Sequence, residues 1–326
     1  MREVAFIAQN KQYWLNVEQI ISGNTPVSAD DLVDTYNKLL NDLSFAKTYY
    51  PKSKVLLYLN YLTAQLHLKI YKKSRFSLLR VITFFKTEVP LLAFQYRYFL
   101  YFSFFLFFVL IGIGVLSAVQ DEPFMRFVLG DDYVDSTLDN IAEGNPVSIY
   151  KSGSDWGSFI GIAFNNLRVG AMMYFYGMLF GLGTFYVLFQ NSIALGAFQT
   201  LFYLNDVLLK SVQGIWIHGS MEIFGMVVEA AMGFALAASF IFPQTYTRLG
   251  SFKIGFKNTF KVYLSTVPFT IFAAFLEGYV TRFALEMGFF AAFTIIFLTL
   301  GFITYYYLVY PVILNKRIQT INQITP

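Results

Sequence analysis

The stretch that decides the fold is "IWIHGSMEIFGMVVEAAMGFALAASFI", residues 215–241. It is long enough to cross a bilayer as a helix, which takes about 20 apolar residues. It also contains His218, Glu222 and Glu229, although an acid at the centre of a membrane helix costs about 2.5–3.5 kcal/mol on insertion scales. The sequence therefore predicts a membrane helix with one polar face that is kept away from lipid.

The composition of the whole chain indicates the same class of protein. Of its 326 residues, 56% are hydrophobic and only 13% are charged, whereas soluble domains carry about 25% charged residues. Several other apolar runs are also long enough to span. We therefore predict an all-α fold, a polytopic helical bundle in a membrane. Cysteine is absent, which excludes disulfides, thiolate catalysis and cysteine zinc sites.

The first part of the chain, residues 1–95, is predicted to be a helical domain in the cytoplasm or on the membrane surface. Ser28 is placed to cap a helix that begins with two acids. Pro51 separates that helix from the next. Each helix carries apolar residues at helical spacing, which predicts its buried stripe. The stripes are Leu32, Tyr36, Leu39 and Leu43 in the first, and Leu57, Tyr61, Ala64, Leu68 and Tyr71 in the second.

Residues 96–315 are predicted to form a six-span transmembrane domain, followed by a cytoplasmic tail at 316–326. No charge occurs from Val169 to Asn205, which is too long for one helix, and "QNS" at 190–192 is the expected break. An acidic extracytoplasmic loop is predicted at 120–165. The expected spans are about 98–119, 167–190, 193–210, 215–241, 262–285 and 288–313.

The distribution of charge predicts the orientation. Residues 1–97 contain 13 Lys and Arg against 7 Asp and Glu, whereas the loop at 120–165 has eight acids and two bases. Lys253, Lys257 and Lys261 lie four residues apart, so they share one helix face and are predicted to anchor it at a membrane surface. By the positive-inside rule, both termini are cytoplasmic. We predict a multi-pass protein of a prokaryotic cytoplasmic membrane.

The polar residues of 215–241 fall on one side of the predicted helix. At about 100° per residue, His218, Glu222 and Glu229 lie within roughly 60° of arc. Small residues on the same side would let another helix approach closely. The predicted packing glycines are Gly177, Gly181, Gly219, Gly225 and Gly233. The predicted intramembrane cluster adds Glu277, Asn165 and Asn166 and, as charge partners, Arg168 and Arg282.

Three interpretations of this polar face stay open. It holds the helices in register, it lines a proton, ion or substrate path of a transporter or channel, or it belongs to an intramembrane metal-dependent hydrolase. His218 and Glu222 have the i, i+4 spacing of metal ligands, but His67, the second of two histidines, is predicted on a helix surface of the N-terminal domain. Zinc sites draw on several His or Cys ligands. We therefore expect no metal and no cofactor.

Several segments resemble the stage II sporulation protein M family. They are "FNNLRVGAMMYFYGMLFGLGTFYVLFQNSIALGAF" (164–198), "HGSMEIFGMVVEAAMGFALA" (218–237), "PQTYTR" and "FAAFLEGYVTR". The resemblance covers about 160–285 and includes an Asn-rich entry into a Gly-rich helix and a His-Gly-x-x-Glu helix. The family pattern falls on Asn165, Asn166, Asn191, Gly196, His218, Gly219, Glu222 and Glu277.

The resemblance implies a non-enzymatic integral membrane scaffold or assembly component, because the namesake localises other envelope proteins. Its implied partners are the lipid bilayer and other membrane or envelope proteins, with a homodimer left open. No nucleic-acid partner is expected, since the sequence has no nucleotide-binding fingerprint. The transporter or channel is the alternative function, and the hydrolase is the more distant one.

Overall fold

The computed structural model describes residues 2–23, 27–70, 77–144, 146 and 155–324. Its fold is all-α, as predicted, and the described residues contain helices and no strand. The chain divides into two compact units, Met1–Leu78 and Leu79–Pro326. Each unit has its own apolar core.

The N-terminal unit consists of three helices, α1 (Glu3–Ser22), α2 (Ala29–Tyr49) and α3 (Lys54–Ile70). The predicted cap of α2 is confirmed, since the Ser28 hydroxyl accepts a hydrogen bond from the Asp31 amide. The interruption at Pro51 is confirmed as well. Gly23 ends α1 with φ +85°, a left-handed conformation that glycine adopts without steric penalty.

The stripe predicted for α2 is confirmed, but the one predicted for α3 is wrong. Leu39 is fully buried, and the other members of its stripe pack against the same core. In α3 the predicted Leu57, Tyr61 and Leu68 are exposed. The opposite face, Val55, Leu59, Leu62 and Leu66, is buried with Trp14 of α1. Both faces of α3 are apolar, so helical spacing alone does not distinguish them. Tyr71 lies outside the described residues.

The second unit contains the long apolar helices. Short helices α4 (Leu78–Thr83) and α5 (Val89–Gln95) lead into α6 (Arg97–Gln120). The remaining helices are α7 (Glu122–Leu129), α8 (Asp131–Ala142), α9 (Asp155–Phe175), α10 (Leu182–Leu204), α11 (Leu208–Ile241), α12 (Arg248–Phe275), α13 (Phe289–Thr304) and α14 (Tyr310–Ile324). π-helical turns follow α4, α12 and α13 at Phe84–Glu88, Leu276–Val280 and Tyr305–Val309.

The break predicted at 190–192 is wrong, because α10 runs through it. Asn191 and Ser192 donate their side-chain hydrogen bonds to the carbonyls of Val187 and Leu188, one turn earlier in the same helix. Such bonds to the preceding turn often bend a helix without ending it, and α10 continues to Leu204. The chain turns at 176–181 instead, where Phe180 and Gly181 have positive φ. The predicted second and third spans therefore become α9 and α10.

The predicted loop at 120–165 contains helices. α7 and α8 lie within it, and α9 already begins at Asp155. Arg126 of α7 bonds to Asp135 of α8 at 2.8 Å and lies 3.5 Å from Asp131. These exposed ion pairs each contribute little free energy, but they link α7 to α8.

Five described helices are long and apolar enough to cross a membrane. They are Arg97–Gln120, Leu182–Leu204, Leu208–Ile241, Arg248–Val280 and Phe289–Ile321. α9 has 21 residues but is not among the five, because Asn165, Asn166 and Arg168 lower its hydropathy. With α9 counted, the helices in order would give six passes, which stays a prediction.

The domain boundary lies earlier than the predicted residue 95. Tyr306 and Tyr310 donate hydrogen bonds to the carbonyls of Phe85 and Lys86, and Lys261 bonds to Glu88 at 2.7 Å. These contacts join residues 79–95 to the long helices of the second unit, which we call the membrane unit. Of the three lysines predicted to share one helix face, Lys253 and Lys257 are exposed, whereas Lys261 is half-buried in its ion pair.

Two of the five predicted packing glycines make close contact with another helix. A Cβ on Gly177 would collide with the backbone of Gly233, and one on Gly233 would lie 2.6 Å from the Met173 carbonyl. Gly181 forms the turn before α10. Gly219 and Gly225 are buried but have room for a Cβ, with the nearest atoms at 3.8 and 4.0 Å, so the packing role predicted for these two stays a prediction.

Candidate functional site

The polar residues of α11 face α12 in regular antiparallel register. His218 lies opposite Glu277 and Glu229 lies opposite Thr266. The two pairs are eleven residues apart on each helix, or about 16 Å along the axis. The polar face predicted for 215–241 is therefore an interhelical surface, and His218 and Glu229 on it are buried.

At one end of this surface, His218 meets the irregular end of α12. Its Nδ1 lies 2.9 Å from the Thr281 hydroxyl, and its Nε2 lies 3.7 Å from Glu277 Oε2. Glu277 belongs to the π-helical turn after α12, and Thr281 to the 3₁₀ turn that follows. π-turns inside helices occur frequently at functional sites. Here the turn directs both side chains toward α11.

Glu222 completes a group of three at the same end. Asn166 of α9 donates a side-chain hydrogen bond to Glu222 Oε1. One ligand atom each from His218, Glu222 and Glu277 lie within 4.8 Å of one another. We call these three residues the His–Glu–Glu group. They come from two helices, and Asn166 holds Glu222 from a third.

Glu229 lies further along α11. Thr266 donates a hydrogen bond to Glu229 Oε1 at 2.7 Å. A Cβ on Gly170 of α9 would collide with the Glu229 carboxylate, so the glycine is what lets that helix approach the acid. Tyr307 and Tyr263 lie in the surrounding apolar core.

Two adjoining cavities make this surface more than a packed interface. One has a volume of about 460 Å³ and is lined by Asn191, Glu222 and Glu229 together with Asn165 and Asn166. The other, of about 410 Å³, is lined by all three members of the His–Glu–Glu group and by the same two asparagines. Small-molecule sites usually have 300–1,000 Å³. Glu222 thus lines both cavities.

Of the two arginines predicted as charge partners of the acids, Arg168 is not the partner that the structure shows. Arg168 is exposed on α9, and the carboxylates meet Asn166, Thr266 and His218 instead. Glu277 does meet a polar group of another helix, as predicted, but that group is His218. The side chain of Arg282 lies outside the described residues.

The sequence analysis did not predict two residues that bond to the polar side chains of α11. Thr266 and Thr281 are common residues in apolar helices, and nothing local distinguishes them from the other buried threonines. Their position eleven residues before and four residues after Glu277 becomes informative only when the register of α11 against α12 is known. Asn191 carried a signal, because it matched the family pattern, and it lines the larger cavity.

Fold and site together define the class of protein: a polytopic helical membrane protein with a buried polar surface beside two cavities. A family model described as "Stage II sporulation protein M" matches residues 102–282. The chain therefore belongs to the stage II sporulation protein M family. Residues 4–72 match a "Domain of unknown function (DUF8413)". No curated protein and no solved structure matches the chain.

Proposed function

We propose that the membrane unit binds a small polar solute in the larger cavity and moves it across the membrane. The observation that carries this proposal is the cavity of about 460 Å³ between α9, α10 and α11, into which Glu222 and Glu229 face. A cluster that only held helices in register would have its polar groups packed against protein. Ionisable residues in membrane segments mark substrate and ion pathways when they face such a space.

The chemistry of the lining favours a solute that donates hydrogen bonds or carries positive charge. Carboxylates of Glu222 and Glu229 accept hydrogen bonds, and Thr266 occupies one oxygen of Glu229. The side-chain amides of Asn165 and Asn191 add acceptor oxygens along the same wall. A cationic or amine-bearing solute would compensate the charge of these acids, which are largely withdrawn from solvent.

Membership of the family supports a second role, that of a non-enzymatic scaffold which assembles other envelope proteins. This role rests on what the resemblance to the family implies. The scaffold predicts that the space around Glu222 is dry, whereas solute binding predicts that water reaches it. Accessibility of the cavity therefore separates the two proposals.

A matched pair on α10 tests that accessibility. Ala194 lines the larger cavity, whereas Ala197, one turn later on the same helix, is fully buried in packed apolar residues. The chain has no cysteine, so Ala194→Cys and Ala197→Cys each introduce one thiol. We expect a small water-soluble methanethiosulfonate to label Ala194→Cys at least tenfold faster in native membranes. Equal, slow labelling of both variants would overturn the solute-binding proposal in favour of the scaffold.

We propose further that the protein lies in a prokaryotic cytoplasmic membrane with both ends inside. The charge bias supports this orientation, as does the exposure of Lys253 and Lys257 at the start of α12. With an impermeant thiol reagent in whole cells, Asp139→Cys should react and Gly250→Cys should react only after lysis. The reverse pattern would contradict the orientation and leave the cavity proposal standing.

A further inference from the structure

Contrary to the expectation from the sequence that no metal binds, we infer that His218, Glu222 and Glu277 bind one divalent transition-metal cation. This site goes beyond the solute-binding proposal and does not depend on it, because a metal would be compatible with either role of the cavity. The three residues are adjacent only in the folded chain, since Glu277 comes from the π-turn after α12. One ligand atom from each lies within 4.8 Å of the others.

The geometry between His218 and Glu277 is that of two ligands around a common ion. Nε2 and Oε2 are 3.7 Å apart, longer than the roughly 2.7–3.2 Å of an N–H···O hydrogen bond. A cation at about 2.0–2.2 Å from each atom, the usual distance for zinc, spans this gap. We assign the imidazole proton to Nδ1, which lies 2.9 Å from the Thr281 hydroxyl. The Nε2 lone pair then points toward the carboxylates.

Neighbouring residues form hydrogen bonds with two of the three ligands, as is usual around metal sites. Histidine ligands usually donate their second ring N–H to an oxygen, and ligating carboxylates are themselves hydrogen-bonded. Thr281 provides that oxygen for His218, and the Asn166 amide donates to Glu222. These two bonds hold both side chains where their ligand atoms lie within 4.8 Å of one another and of Glu277.

Charge balance also favours a divalent cation. The largely buried side chains of Glu222 and Glu277 lie close together, and two ionised carboxylates in such a place repel and lose part of their hydration. An ion of charge +2 compensates both, and a neutral histidine completes the set. Three protein ligands leave a fourth position open, and the adjoining cavity of about 410 Å³ gives that position room for water or a solute.

The ligand types select the cation. One imidazole with two carboxylates suits Zn²⁺, Mn²⁺ and Co²⁺, whereas Mg²⁺ prefers oxygen ligands and keeps most of its water. We therefore expect Zn²⁺ and Co²⁺ to bind and millimolar Mg²⁺ to compete poorly.

The test uses the full chain, purified in detergent with a tag that contains no histidine. Co²⁺ is added stepwise, and its visible absorption reports the coordination geometry. Zn²⁺ affinity follows from competition with a chelator. We expect one ion per chain in the unsubstituted protein. Glu277→Gln and His218→Gln should each weaken binding at least a hundredfold, and Thr281→Val about tenfold, as outer-partner changes do.

Two substitutions are the matched controls. Glu229→Gln changes another buried acid of α11, eleven residues from His218, and His67→Gln removes the second histidine. Both should retain the Co²⁺ spectrum. Melting temperature and size-exclusion profile show which variants are folded, and Glu222→Gln supplies a further ligand change if a histidine variant does not fold.

Two results would overturn the metal site: no stoichiometric Co²⁺ or Zn²⁺ binding to the folded protein, or binding that all three ligand substitutions leave unchanged. Its failure is distinguishable from failure of the solute-binding proposal. If Ala194→Cys is labelled rapidly while no metal binds, only the metal site is lost. If metal binds but Ala194→Cys is unreactive, the cation site stands and solute transport is lost.

Discussion

The helix pairs α6–α10 and α11–α12 both bury long interfaces, but different contacts hold them. Between α6 and α10 the backbones touch: a Cβ on Gly114 would lie 2.6 Å from the Ile193 carbonyl, and one on Gly196 would lie 2.5 Å from that of Ile111. Between α11 and α12 side chains bond across the interface, as Thr266 does to Glu229. The two cavities of the candidate site adjoin the polar residues of this second pair.

The hydroxyl groups show the same difference. On α10, Ser192 and Thr200 donate to carbonyls of their own helix, so they contribute no bond to α6. Thr266 of α12 donates to Glu229 of α11, and Thr281, in the turn after α12, bonds to His218 of α11. Small residues stabilise membrane helix pairs by close packing, and polar residues do so through interhelical hydrogen bonds. Close backbone packing therefore holds the first pair together, and interhelical side-chain bonds hold the second, beside which the cavities lie.

The largest expected effect is at the close-packed interface. Gly114→Ala places a methyl group against the Ile193 backbone, which cannot move aside as a side chain could. Overpacking of this kind costs about 1–3 kcal/mol, sometimes more. We expect a clear loss of melting temperature and of monodisperse protein in size-exclusion chromatography.

Gly112→Ala is the control for that experiment. Gly112 lies two residues earlier on α6, and no other residue comes within 4 Å of the position that an added methyl group would take. The change should be neutral or slightly stabilising, since alanine is the better helix former by about 1 kcal/mol. Equal effects of the two changes would mean that α6 and α10 are not in backbone contact.

An intermediate effect on the free energy of unfolding is expected for Glu222→Leu. This substitution tests whether water reaches the polar interface. The change leaves the Asn166 amide without its acceptor, and Asn166 also lines both cavities. If water reaches the cavity, it satisfies the amide, and the free energy of unfolding should fall by less than about 1 kcal/mol relative to Glu222→Gln. A buried donor left unsatisfied costs about 1–3 kcal/mol. A loss in that range in detergent unfolding would indicate a dry site and favour the scaffold.

Long apolar runs and the polar face of 215–241 were predictable, whereas the break between α9 and α10 and the contacts between helices were not. The apolar run of α6 and the inward polar face of 215–241 follow from length and from 100° per residue. The turn at 176–181 was missed because apolar residues surround it. "QNS" was mistaken for a break because its polar side chains bond within α10.

The partners of the acids depend on register, which one sequence does not contain. Charge complementarity suggested Arg168, but that side chain lies on the exposed face of α9, and Asn166, two residues earlier, meets Glu222. Which of these two side chains meets Glu222 depends on the rotation of α9 about its own axis. Rotation is set by packing against several helices at once, including the contact of Gly170 with Glu229.

The smallest expected effect separates a hydroxyl that bonds across an interface from one that does not. Thr266→Val removes the bond to Glu229, and Thr200→Val removes only a bond to the Gly196 carbonyl in the same helix. Both side chains are buried, and valine keeps their shape. Interhelical bonds in membranes average about 0.6 kcal/mol, so Thr266→Val should lower the free energy of unfolding by about that amount and Thr200→Val by less. Glu229→Leu removes the acceptor. In a double-mutant cycle with Glu229→Leu, the effect of Thr266→Val should shrink while that of Thr200→Val stays constant. Additive effects of Thr266→Val and Glu229→Leu would show that the two side chains are not coupled, and the polar pairing of α11 with α12 would then be wrong at this point.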